Sequence, residues 1–471
     1  MMLLSEAAQA TSGKLLPSIG TGTGSGVGDM QVKGVSTDSR SLVPGDLFIA
    51  LRGEHFDGYN FVGTAAQAGA AAALVNADSC QAQPSSGTVQ QPVPVIPLLL
   101  VEDTRLALGR LAGWWRRQFA IPVVAITGSN GKTTVKEMLA CILREQAGNA
   151  DAVLATRGNL NNDIGMPLTL LQMNAAHRYA VIEMGMNHPG EIDYLTRIAM
   201  PDVALINNAS GAHLEGLGSV EAVAQAKGEI FAGLQHRGTA VINSDDEHAP
   251  LWRTLAGAHP LLEFGLNEMA DVSGKWQPHG YGLRIDVTAP QGKFTADLQV
   301  PGAHNARNAL AATAAAIVLN VGLEAIVAGL EKFRGVDGRL QRKPALHGAS
   351  LIDDTYNANP SSMRAAISVL AQAGGKRILV LGDMGELGGE TANLHAEIGK
   401  EARRAGIEKL YALGPLSVNA VREFGIGAQH FGNIDDLQDA LEDELDANTS
   451  VLVKGSRFMK MERVVEHFTV H

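Results

Sequence analysis

Between Thr127 and Thr134 the chain reads TGSNGKTT, a run of glycines and small polar residues broken only by one lysine. Amide N–H groups bared in such a turn, the positive end of a following helix, an ammonium at Lys132 and a hydroxyl at Thr133 together suit a phosphate chain and its magnesium ion. The usual phosphate loop carries a further glycine five residues before its Gly-Lys pair. Here that position is Ile126, so the loop is shortened without losing those groups. A plain glycine-rich turn is the alternative reading, although such turns rarely put Lys-Thr-Thr at a helix start.

The flanks say which elements present the turn. Val123, Val124, Ala125 and Ile126 form a buried-strand signal, and Val135, Met138, Leu139, Ile142 and Leu143 fall on one helical stripe. The turn is therefore expected between a core strand and a helix N-terminus. A second ionisable group stands out in SVEAVAQAKGEIFAGL, where Lys227 lies four residues after Val223 and four before Phe231, on the apolar stripe. Its amine must snorkel, pair, or be neutral with a depressed pKa; a neutral amine can take up CO₂ as a carbamate, an anionic oxygen ligand. Glu183 ends the strand signal YAVIE, and His213 follows the strand signal VALINN. In a parallel sheet both lie at the carboxyl edge, where they could share a metal with Lys227.

The scaffold has to be large. A chain of 471 residues exceeds one ordinary core, so two to four domains are expected, and 45% hydrophobic residues suffice to fill them. A formal net charge of −11 offers no field for nucleic acid or anionic lipid. Two cysteines, Cys80 and Cys141, support neither a disulfide framework nor a thiolate metal site. The opening MMLLSEAAQATSGK lacks the basic start of a signal peptide, and no run of about 18 apolar residues follows, so a cytosolic protein without membrane insertion is expected.

Along the chain, the first hundred residues carry a strand at DLFIAL, an alanine-rich helix near 64–74, and a surface loop in QAQPSSGTVQQPVPV. An amphipathic helix in LALGRLAGWWRRQF leads to the phosphate turn. Strand and helix signals then alternate through YAVIEMG, GEIDYLTRIA, VALINN and TAVINS, which means a mainly parallel sheet covered by helices. Residues 258–300 read as a short antiparallel patch, HNARNALAATAAAIVLNVG as a long apolar helix, and GVDGRLQR as a hinge. Beyond it LIDDT, RILVLGDM, KLYALG and VLVKGS are strands of another α/β unit.

Taken together, TGSNGKTT, VSTDSRSLVPGDLFIALRGEHFDG, GNLNNDIG, EMGMNHPGEI, HNARNAL, DDTYNANPSSM and VLVKGSR resemble the Mur ligase family, ATP-dependent enzymes that build the peptide stem of the bacterial cell-wall precursor. The resemblance spans nearly the whole chain. It implies an α/β protein of three domains: a small N-terminal α/β domain for the UDP-linked substrate over 1–105, a central mainly parallel-sheet phosphate-loop ATPase domain over 106–335, and a C-terminal Rossmann-like domain over 336–471. Within the family, GNLNNDIG, AHLEGLGS and the YNANP run are most similar to the member that adds D-alanyl-D-alanine to a UDP-N-acetylmuramoyl-tripeptide.

The roles implied at matching positions are as follows. Gly128, Ser129, Asn130, Gly131, Lys132, Thr133 and Thr134 would cradle the ATP phosphates. Thr133 and Glu183 would bind magnesium, and His213 with carbamylated Lys227 would support a second metal. Asn308 would face adenine, Arg339 the phosphates, and Asp354 the nucleotide from across the hinge. Ser39 and His55 would meet the uridine end, although TDSR is also an ordinary turn sequence. Asn159 and Asn162 fall in GNLNNDIG, on the substrate side, while Asn357, Asn359, Lys454 and Arg457 would hold the dipeptide and the substrate carboxylate. A monomer is expected. A ligase of the same architecture adding a single amino acid, and a phosphate-loop NTPase switch, are the alternatives.

Overall fold

In the computed structural model of the protein, residues 1–18, 26–54, 56–81, 96–211, 214–266 and 269–470 are described. Three main sheets follow one another along the chain. The first has five strands in the order Lys14–Leu16, Leu98–Val101, Ala72–Asn76, Asp46–Ile49, Gly34–Ser36, parallel except for the first pair. The alanine-rich segment departs from expectation here: the helix Val62–Gln67 stops early, Gly69 turns the chain at φ +95, and Ala72–Asn76 is a buried strand. Alanine fits a helix or a crowded sheet, so the glycine and the tertiary setting decide. Most of the loop expected in QAQPSSGTVQQPVPV lies outside the described residues.

The second sheet has nine strands, and Val123–Thr127 lies between Tyr179–Glu183 and Val203–Ile206, parallel to both. Alternate residues of that strand enter different cores, Val123 and Ala125 on one face and Val124 and Ile126 on the other, which is why the strand reads as continuously apolar. From this strand the chain crosses to Val153–Ala155 at one edge and later to Val203–Ile206 on the other side, so a crevice opens where the order reverses. The antiparallel patch begins one strand later than expected: Leu261–Gly265 pairs in parallel on both sides, and antiparallel pairing starts between Val272–His279 and Gly282–Ala289 and continues to Gly292–Leu298. The long helix Ala303–Val318 packs over this sheet, buried along nearly its whole length.

The third sheet runs Gln341–Pro344, Ser350–Asp354, Thr449–Lys454, Lys376–Gly382, Lys409–Leu413, Ala428–Phe431, with only its first pair antiparallel. Apolar clusters cover both faces. The segment read as a hinge joins the second and third sheets and turns at Gly335, Gly338 and Leu340, all with positive φ. Among the described residues no helix is long and apolar enough to cross a membrane.

Candidate active site

The carboxyl ends of the central strands and of the third sheet face each other across one cleft of about 1330 Å³. Its central wall is the phosphate turn. Gly131, at φ +78, precedes the helix Lys132–Ala147, and an added Cβ there would lie 2.5 Å from Asn207 Nδ2 and Asn308 Oδ1. Only glycine fits that corner. The turn is laced to the loop after Val203–Ile206: Ser129 donates its amide to Asn208 O at 2.9 Å, Asn130 donates its amide to Asn208 Oδ1 at 2.8 Å, and Asn207 Nδ2 donates to Asn130 O at 2.9 Å. Lys132 Nζ curls back to donate to Gly128 O at 2.7 Å. Burial pushes the Lys132 ammonium below its ordinary pKa, with Glu183 opposing that shift. Thr134 also lines the cleft.

Thr133 and Glu183 meet: the threonine hydroxyl donates to Glu183 Oε2 at 2.8 Å and accepts from Arg339 Nη2 at 2.9 Å. Asn161 Nδ2 donates to the other carboxylate oxygen at 2.8 Å, and the Glu183 amide donates to Thr156 Oγ1 at 2.9 Å. A hydroxyl and a carboxylate oxygen side by side are hard donors suited to magnesium, which keeps its remaining positions for water and phosphate. Among the described residues no group of three His, Cys, Asp or Glu side chains converges.

Lys227 is 1% exposed near the end of the helix Val220–Gly228, and burial, reinforced by the Lys132 ammonium, pushes its pKa well below the ordinary lysine range. Of the readings left open for it, a snorkelling amine is at odds with this burial. His213, expected beside it, lies outside the described residues, as does His55.

Asn308 is buried and its amide is spent on the protein: Oδ1 accepts from Asn207 Nδ2 at 2.9 Å and Nδ2 donates to Asn305 Oδ1 at 3.1 Å. It thus ties the phosphate turn to the helix Ala303–Val318. His304 in the same helix lines the cleft, and burial, with the Lys454 and Arg307 charges nearby, lowers its pKa to about 4.

From the third sheet come Asp354, Asn357, Asn359, Lys454 and Arg457, all lining the cleft. Lys454 Nζ pairs with Asp354 Oδ2 at 2.6 Å and donates to Asn357 O at 2.9 Å. Asp354 carries a raised pKa, burial outweighing the lysine's opposing pull. Asn359 caps the helix Pro360–Leu370 through Ser362 N and reaches across to donate to Asn130 Oδ1 at 2.8 Å. The Arg339 guanidinium lies 4.2 Å from the Tyr356 ring centroid, and its Nε has no partner among the described residues.

Asn159 and Asn162 border the cleft as well, but Asn162 Oδ1 accepts the Gly165 amide at 2.8 Å and so serves the following helix. The residue of GNLNNDIG that reaches Glu183 is Asn161, which sequence reasoning did not single out. Asn207 was missed too; its Oδ1 is buried beside the turn without a partner among the described residues. The signal for both was present in the asparagine-rich runs, without the register to choose among them.

Ser39 is not among the residues of this cleft. It sits in a turn where Asp38 accepts from the Arg40 amide and guanidinium, which lowers the Asp38 pKa to about 2. That turn borders a separate hollow of about 790 Å³, lined by Ser36, Thr37 and Asp38 on one side and Trp115, Leu168 and Met173 on the other.

Comparison with known proteins adds the following. Three family models match the chain: "Mur ligase family, catalytic domain" over residues 31–115, "Mur ligase middle domain" over 126–316 and "Mur ligase, glutamate ligase domain" over 338–457. The UDP-N-acetylmuramoyl-tripeptide--D-alanyl-D-alanine ligase of Escherichia coli (strain K12) is 42% identical over 442 residues, 93% of this chain and 94% of that protein. The crystal structure of MurF from Acinetobacter baumannii superposes with a TM-score of 0.88 at 36% identity, covering 99% of this chain and 98% of the other. The MurF ligase of Thermotoga maritima, crystallised in complex with ADP, superposes with a TM-score of 0.78 at 27% identity, covering 93% and 97%.

Proposed function

The chain belongs to the Mur ligase family, and from that premise we infer that it is an ATP-dependent ligase joining D-alanyl-D-alanine to a UDP-N-acetylmuramoyl-tripeptide, with ADP and phosphate released. The observation that carries this reading is the single cleft that sets the phosphate turn and Glu183 opposite the carboxyl ends of the third sheet. The two substrates are those named for the full-length relative from Escherichia coli.

A carboxylate must be activated before an amine can capture it. In our reading the tripeptide's terminal carboxylate attacks the γ-phosphate, the resulting acyl phosphate is captured by the dipeptide amine, and no covalent bond to the protein is needed. The turn from Gly128 to Thr134 holds the phosphates through amide N–H groups, and Lys132 swings from Gly128 O to the phosphate oxygens. Arg339 leaves the Thr133 hydroxyl for the same phosphates. Magnesium, when bound at Thr133 and Glu183, supplies charge neutralisation for the transferring group. A carbamate on Lys227, with His213, would hold a second ion. Asn308 orders the adenine side by fixing the turn.

Ser39 and His55 would meet the uridine end, and Asn159, Asn162, Asn357, Asn359, Lys454 and Arg457 the peptide parts. We assign residues 1–105 to the UDP-substrate unit, 106–335 to the ATP unit and 336–471 to the unit that closes over both. A monomer working in the cytoplasm suits substrates of this kind.

The test is a coupled assay with Mg-ATP, D-alanyl-D-alanine and tripeptides ending in diaminopimelate or in lysine. ADP is expected only when both peptides are present, with a product one dipeptide heavier, less water, by mass spectrometry. Lys132→Ala is expected to lower the rate by about 100-fold or more. ADP formation that ignores the dipeptide would instead indicate a nucleotide switch.

A further inference from the structure

The loop after the strand Lys376–Gly382 holds an exposed acid, Glu386, between firmly anchored neighbours. Asp383 is buried and accepts the Ser417 amide at 2.7 Å. The Met384 amide donates to His395 Nε2 at 2.9 Å, and His395 is wholly buried. The Gly385 amide donates to Ser456 Oγ at 2.9 Å, and Leu387 is buried in the core. Between these anchors Glu386 is exposed, with φ +61, a left-handed backbone that a residue with a side chain seldom adopts. Conformations of this kind persist where the surroundings impose them and gather at functional sites.

Glu386 lines the same cleft as Lys132, and its negative charge is felt by the Lys132 ammonium. Its neighbours come from the loop after Thr449–Lys454. A Cβ on Gly385 would lie 2.9 Å from Phe458 Cε1, so the exposed Phe458 ring rests on this loop, with Arg457 beside it on the cleft wall. One wall therefore carries a carboxylate and a guanidinium on adjoining loops. An unreacted dipeptide carries an ammonium and a carboxylate about 7 Å apart when extended.

We propose that Glu386 receives the ammonium group of the incoming dipeptide, takes one proton from it, and aims the lone pair so freed at the activated carbonyl beside the phosphate turn. This rests on the ligase reading above. The C–N bond forms while the bond from the carbonyl carbon to the phosphate oxygen breaks, its electron pair leaving on phosphate. Of the two protons the nitrogen gives up, one ends on the departing phosphate and the other passes to Glu386 and then to water.

Hydroxylamine separates the steps, because it is largely uncharged at neutral pH and captures acyl phosphate as a hydroxamate without an ammonium to be recognised. Glu386→Gln is expected to raise the KM for D-alanyl-D-alanine and lower kcat, cutting kcat/KM at least tenfold at pH 7, while hydroxamate forms within about threefold of the wild-type rate. The deficit should narrow towards pH 9, where the dipeptide amine, with a pKa of about 8, is already uncharged. Glu386→Gly, which relieves the backbone, should melt no lower than wild type yet show the same deficit. Wild-type kcat/KM for the dipeptide in Glu386→Gln, or loss of hydroxamate in that variant, would overturn the proposal. No hydroxamate from the wild-type protein would instead overturn the acyl-phosphate reading beneath it.

Discussion

Lys454 and Asp354 form an ion pair at 2.6 Å with side-chain exposures of 3% and 11%, so each charge depends on the other for the solvation it has lost. Replacing Lys454 with Met keeps the bulk and strands the carboxylate. Breaking one half of a buried pair costs about 3–5 kcal/mol, and the variant should lose that much in urea denaturation at pH 7. The sign with pH follows from the raised pKa of Asp354. A carboxyl group that holds its proton more tightly when folded than when unfolded weakens the fold at neutral pH, and the penalty fades as pH falls through the folded value towards the unfolded 3.8. The gap between variant and wild type should therefore shrink on acidification. A gap that stays constant from pH 7 to 4 would mean that the lost contact with Asn357 O, and not the stranded charge, accounts for the loss.

At the scale of elements, the helix Lys132–Ala147 has a left-handed glycine at each end, Gly131 at φ +78 and Gly148 at φ +65. The two ends differ in what surrounds them. A Cβ on Gly148 meets nothing within 4 Å, whereas one on Gly131 collides with the amides of Asn207 and Asn308. Gly148→Ala should cost only the backbone term, about 1–2 kcal/mol, and leave ADP affinity unchanged by calorimetry. Gly131→Ala should weaken ADP binding at least tenfold, because the asparagines that hold the turn must move. Equal affinities in the two variants would show that the asparagine lacing does not shape the nucleotide site. The same contrast explains what the sequence made legible. The phosphate turn, its strand and its helix could be read because the chemistry is contiguous and both flanks carry a clear period. The strand Ala72–Asn76 could not, because its alanines carry no period and a glycine decides the boundary. Asn161 was confused with its neighbours since one step of register along an irregular loop leaves no trace in residue type. Glu386 lies in no recognisable motif; a backbone angle and two adjoining loops bring it to notice.

At the scale of the molecule, the antiparallel end of the central sheet serves as a bearing for the third. Tyr281, at the turn between Val272–His279 and Gly282–Ala289, donates its hydroxyl to Leu340 O at 2.9 Å and packs against the third sheet's core. The Arg342 guanidinium lies 5.4 Å from the ring centroid, and burial keeps the phenol protonated by raising its pKa. Leu340 itself stands at φ +52 and donates its amide to Asp354 at 3.2 Å, so this joint is gripped from both sheets at once. Tyr281 is not part of the cleft lining, whereas the hydrogen bonds Asn359 to Asn130 and Arg339 to Thr133, which also join the two units among the described residues, involve groups that nucleotide binding would disturb. The tyrosine is thus a part of the connection that nucleotide binding leaves in place. Tyr281→Ala should leave each sheet folded by circular dichroism yet enlarge the radius of gyration in small-angle scattering without nucleotide. It should also lower kcat for ligation several-fold if the third unit must close to bring the two substrates together, as proposed above. Tyr281→Phe, which keeps the ring and loses one hydrogen bond, should fall between. A scattering profile unchanged in Tyr281→Ala would mean that the cleft contacts alone hold the third sheet in place, and binding of Mg-ATP should then be what sets the two units apart.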